Sequence, residues 1–72
     1  QCGEYPAIER ALTIAHEQVV WRGAIGPDVM VEVWGKIENP QAWTLLVRHI
    51  SGMACVQVMG DGWEVLPIGQ SS

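Results

Sequence analysis

Apolar positions recur at i, i+3, i+4 and i+7 near the start of the chain, at Ile8, Ala11, Leu12 and Ala15, with Glu9, Arg10, Thr13, His16 and Glu17 elsewhere around the same stretch. That spacing predicts one amphipathic helix over about residues 6–17, with Pro6 suited to its first position because its φ is already fixed near the helical value. Beyond it the period falls to two. Val19, Val20 and Trp21 open a strand over about 19–26 that stops at Gly26 and Pro27. Over about 29–38, Val29, Val31, Val33 and Ile37 fall on one face and Met30, Glu32, Trp34, Lys36 and Glu38 on the other. A turn at Asn39 and Pro40 leads to a third strand over about 42–50, in which Trp43, Leu45 and Val47 alternate with Thr44, Leu46 and Arg48. Ser51 and Gly52 turn the chain into a fourth strand over about 53–59. Gly60, Asp61 and Gly62 then precede a short piece over about 63–66, which Pro67 confines to a sheet edge.

Connections this short require antiparallel neighbours, since a parallel pair needs a long crossover. The expected architecture is α+β: a single domain over 1–72 with an N-terminal helix packed on one face of a four-stranded antiparallel meander. One helix covers one face. If the valines meet it, Val31 and Val33 lie inside with Trp43, Leu45 and Val47, and Trp63 folds over the sheet edge to close the core. Met30, Trp34 and Leu46 then share the uncovered side, with Trp21 or Val56 beside them, as an apolar interaction surface. Strict alternation sets Cys55 opposite Val56 and Val58, so either the helix side holds Cys55 with Met53, Gln57 and Met59, or a bulge intervenes.

A chain of 72 residues has a marginal core unless a staple or a partner adds to it. Cys2 and Cys55 stand almost as far apart as the chain allows. A disulfide between them would pin the start of the chain to the end of its sheet, stabilise the fold by roughly 4 kcal/mol on the chain-entropy account, and imply an oxidising compartment. The alternative is two buried free thiols in a reducing one. A start at Gln1 rather than Met fits removal of a signal peptide or a trimmed chain. With a net charge of −4 and only Arg10, Arg22, Lys36 and Arg48 as cations, no basic stripe exists to neutralise a phosphate backbone or an anionic membrane surface. No apolar run approaches the length of a transmembrane helix.

The motifs W-T-L-L-V at 43–47 and A-C-V-Q-V-M-G-D-G-W-E at 54–64 resemble those of a family of small exported proteobacterial proteins of uncharacterised function. Members share a cysteine near the mature N-terminus, a helix, a V-E-V-[FW] strand, a W-T strand and a C-x-V-x-x-G-x-x-W-E ending. Cys2, Val31 to Trp34, Trp43, Thr44, Cys55, Gly60, Trp63 and Glu64 fall on that pattern, although this chain continues past its end. The resemblance implies export to the periplasm or beyond and supports the disulfide; it brings no activity with it.

Candidate chemistry is sparse. His49 and Ser51 lack an orienting carboxylate and a glycine-flanked nucleophile turn. His16, His49 and the cysteines lack the spacing of a zinc site. Asp61 and Glu64 flank Trp63, yet a charged turn around one anchoring indole accounts for them better than a glycosidase pair. No catalytic, metal or cofactor residue is therefore expected. The expected function is a non-enzymatic exported interaction module, a homodimer or an accessory subunit of a larger envelope assembly, with a protein partner held by the open face or an edge strand. A small-molecule or glycan binder using exposed Trp residues is the competing expectation, disfavoured by how little room the domain has for a pocket.

Overall fold

The two edges of the sheet are strands that follow one another in the chain, and this fixes where the helix must go. The computed structural model describes residues 1–36, 38 and 42–64. Its elements are β1 (Cys2–Glu4), α1 (Tyr5–Ile14), β2 (Gln18–Ile25), β3 (Val29–Gly35), β4 (Ala42–His49) and β5 (Met53–Asp61). They form one antiparallel sheet in the order β1-β5-β4-β3-β2. Strands β2 to β5 are the expected meander, and β1 is a fifth strand that three residues, Cys-Gly-Glu, gave no reason to expect. Because β1 and β2 are opposite edges, α1 has to cross the sheet between them. Ten residues at 1.5 Å rise give about 15 Å of helix, against about 19 Å across five strands. The helix just suffices to cover one face, and the described residues measure 40 × 29 × 15 Å, the thickness of two layers.

The helix begins directly at the end of β1, where the Tyr5 amide donates to the Gly52 carbonyl at 2.8 Å. It stops at Ile14, three residues before the expected end. The Glu17 amide bonds the Leu12 carbonyl at 2.9 Å and the His16 amide the Thr13 carbonyl at 3.0 Å, with His16 in the left-handed region at φ 67°. This is the paired closure that ends many helices, with histidine where glycine is usual. It lets Glu17 turn inward.

The layer assignment expected from the valines is inverted. Tyr5, Ile8 and Leu12 of α1 pack on Trp34, Leu46, Ala54, Val19 and Val56; Leu46 is 0 % exposed and Trp34 4 %. Met30, Trp34 and Leu46 do share a face, through Met30↔Arg48 and Glu32↔Leu46, but it is the face under the helix and not an open surface. The other side carries Val29, Val31 and Val33 opposite His49, Val47 and Leu45, together with Trp43, which is therefore outside the helix-covered core. Ala11 and Ala15 are exposed. The physical reason is that Glu32, Thr44 and Arg48, which make this face read as solvated, are hydrogen-bonded beneath the helix, so the helix covers the face with the more polar sequence and not the more uniformly apolar one.

Two bulges complete the pattern. Trp34 pairs with Val19 and Val33 with Trp21, leaving Val20 as an extra residue in β2. Leu46 pairs with Val56 and Leu45 with Val58, leaving Gln57 extra in β5. The bulge alternative for Cys55 thus holds: Val56 faces the helix, while Cys55, opposite Val47, faces away. Cys2 and Cys55 are directly opposed, with Cα atoms 4.0 Å apart, and are joined by the disulfide. It ties edge strand β1 to β5. Strand β3 ends at Gly35; of the edge piece expected over 63–66, Trp63 and Glu64 are in no strand, and Val65 and Leu66, like Ile37, Asn39, Pro40 and Pro67, lie outside the described residues.

Trp34→Glu is accordingly expected to unfold the domain. Leu46→Ala should cost about 2–5 kcal/mol in urea unfolding, well above the cost of Leu45→Ala on the other face. Equal losses at 45 and 46 would contradict this assignment. Cys55→Ser should cost about 2–5 kcal/mol by the same measurement, as loss of a native disulfide from a small domain does.

Candidate functional site

Two groups of side chains stand out, one on each face. On the helix side the Glu32 carboxylate is wholly buried, and four side chains donate to it. Trp34 Nε1 reaches Oε1 at 2.9 Å, and the Tyr5 hydroxyl reaches Oε1 and Oε2 at 3.0 and 3.2 Å. Arg22 Nε reaches Oε2 at 3.0 Å and Arg48 Nη1 at 3.3 Å. The Arg48 guanidinium also stacks 3.6 Å over the Tyr5 ring. The cross-strand pairing Arg22↔Glu32 brings one arginine, and Arg48 comes from β4. Burial alone would raise the Glu32 pKa, but hydrogen bonds from Trp34, Tyr5 and Arg48 and the charge of Arg22 hold it below its ordinary value. Burial first, then the bond to Glu32 and its charge, raise the Tyr5 phenol above its ordinary value.

A carboxylate so fully occupied is a poor general base, because every direction from which it could take a proton holds a donor. Its role is to seat the helix. Nearby, the buried Glu17 carboxylate accepts from Thr44 Oγ1 at 3.0 Å, so the turn that follows the helix is also fixed to the middle of β4.

The open side is of a different kind. Val31, Val33, Leu45 and Val47 form its centre, half-buried only against one another and their neighbours, with Ile25 and Val58 farther out. No Asp, Glu, Lys or Arg side chain projects from β2, β3, β4 or β5 on this side; His49 stands at one end of β4 and Glu4 at the outer edge on β1. At one end lie three tryptophans, each over a glycine. A Cβ at Gly60 would stand 2.7 Å from the Trp43 indole, one at Gly23 2.6 Å from Trp21, and one at Gly35 3.4 Å from Trp63. The missing side chains let the indoles settle onto the sheet. Trp63 Nε1 also donates to the Lys36 carbonyl at 3.4 Å. Trp63 thus caps the open face, and does not close the helix-side core. Trp21, Val33, Trp43, Trp63, Gln18 and Glu64 border an open cleft of about 700 Å³.

The structure therefore brings Met30, Trp34 and Leu46 together under the helix, and joins Cys2 to Cys55. It puts the residues expected inside, Val31, Val33, Trp43, Leu45 and Val47, on the side away from the helix, where they are half-buried. His49 Nδ1 accepts the Ser51 backbone amide at 3.0 Å, so the ring is spent on a turn and not aimed at the Ser51 hydroxyl. Among the described residues no three His, Cys, Asp or Glu side chains lie close enough to hold a metal ion, and no helix is long and apolar enough to cross a membrane.

Glu32→Gln should destabilise the fold by about 1–3 kcal/mol, the cost of leaving buried donors imperfectly matched. The pH response carries the sharper signature. A glutamate whose folded pKa is depressed contributes stability that is fully present above its ordinary value of about 4.5 and is lost as pH falls through the lower folded value. The acid limb of a pH–stability curve should therefore steepen below that point in the parent and flatten in Glu32→Gln. Superimposable acid limbs would contradict the hub.

No family model matches this chain, and neither the curated proteins nor the solved structures include a significant match to it.

Proposed function

We propose that this chain is a non-enzymatic exported interaction module that binds another protein chain through the open face of its sheet. The observation that carries the reading is the apolar side that no element among the described residues covers, their only helix lying on the opposite face. Monomeric proteins rarely expose contiguous apolar patches of more than a few hundred Å². A solvated antiparallel sheet normally turns its polar residues outward, and here Arg22, Glu32 and Arg48 of β2 to β4 lie on the helix side instead. Trp and Val with polar residues confined to the rim also suit a protein interface. The disulfide supports export, since such bonds persist in oxidising compartments, and so does the resemblance to small exported proteobacterial proteins.

A second reading rests on the cleft beside Trp21, Trp43 and Trp63, whose volume is within the range of small-ligand sites. It makes the chain a small-molecule or glycan binder that stacks a ring on an indole. The two readings part on substitution. Val47→Glu, on the same face but opposite Val31 and Cys55 and not beside a residue that borders the cleft, should keep the far-UV circular dichroism of the parent and abolish capture of a protein partner from an envelope extract. Capture that survives Val47→Glu but is lost in Trp63→Ala, or competed by sugars, would favour the second reading.

A further inference from the structure

We infer that the occupant of the open face is a second copy of this chain, packed face to face so that two sheets form the inner layers of a helix–sheet–sheet–helix dimer; this rests on the reading of that face as an interaction surface. Three observations converge on a copy of the chain itself. The first is area. Five strands about 19 Å across and up to about 30 Å long give a footprint on the order of 600 Å², the size per partner of a weak, concentration-dependent contact.

The second is charge. The chain carries −4, so two copies repel through most of their surfaces, but the strands β2 to β5 present no charge on this side. Arg22, Glu32 and Arg48 are gathered on the helix side, and Asp61, opposite Ala42, is on that side too. Pairing these faces brings no like charges into contact and leaves the acidic groups outward or at the rim. The third is shape. Branched side chains of middling size, Val31, Val33, Leu45 and Val47, occupy adjacent strands, and such surfaces interdigitate at about 10 Å between sheets. An isologous pairing of one such face on itself satisfies both copies at once.

The pairing has a salt signature. An interface without ion pairs between molecules of equal charge tightens as salt screens their repulsion, whereas one made by charge pairs loosens. The test uses the full chain with its disulfide intact. Sedimentation across a wide concentration range should show twice the 7.9 kDa of one chain, with association strengthening as salt is raised. Leu45→Glu should weaken it by at least about 30-fold, the level of an interface anchor. Val58→Lys, at a position already 47 % exposed and so harmless to the fold, should weaken it too. In a sample mixed from isotopically labelled and unlabelled protein, filtered nuclear Overhauser contacts should cross between copies from the Val31, Leu45 and Val47 methyls.

A chain that stays at 7.9 kDa throughout overturns the self-pairing. If Leu45→Glu still abolishes capture of a different protein, the interaction reading survives with another occupant. If it changes nothing, both fail. A dimer whose open-face methyls show no contact between copies, while amides on the outer edge of β2 become protected, is an edge pairing and also overturns the proposal.

Discussion

A carboxylate is tolerable beneath a helix only where donors surround it, and Glu32 meets that condition with Tyr5, Arg22, Trp34 and Arg48. These four come from the helix and from three strands, so the network cannot form unless α1 lies on that side of the sheet with Tyr5 pointing down. Packing then follows: Leu12 and Ile8 continue the line from Tyr5 over Leu46, Ala54 and Val56. The apolar core of the described residues is small. Specificity for the covered face therefore comes from a polar group, although the other face is the more uniformly apolar one.

The covalent staple acts on the same element from the other end. β1 is three residues long and would be a weak edge strand alone. Its disulfide to Cys55 closes a separation of 53 residues, worth about 4 kcal/mol on the chain-entropy account. It also sets where the helix starts. The helix follows β1 with no intervening residue, its first amide, Tyr5, bonded to the Gly52 carbonyl. Thr44 and Glu17 fix the far end of the crossing. Held at both ends, α1 leaves the bare face as a fixed consequence of topology and not as an accident of side-chain placement.

The elements were largely legible: the helix, four strands and the disulfide follow from period, turn residues and the spacing of Cys2 and Cys55. The grouping of Met30, Trp34 and Leu46 on one face was legible too, because alternation is blind to everything but parity. The side on which the helix sits was not. Glu32 and Thr44 read as solvent-facing because isolated polar residues usually are, yet both are fully buried. One clue was present: Arg22 and Glu32 stand five residues either side of Pro27, so a hairpin turning there places them opposite each other. What it could not supply was Tyr5 and Arg48, which arrive through β1 and β4. The two bulges were beyond alternation, since each extra residue reverses the parity of everything after it.

The account depends on which face touches the helix, and contacts between side-chain protons report this directly. A nuclear Overhauser spectrum of the disulfide-intact chain should connect the Tyr5 ring and the Leu12 methyls to Leu46 and to the Trp34 indole. Contacts from Tyr5 and Leu12 to Val31, Val33 and Leu45 instead would contradict the arrangement.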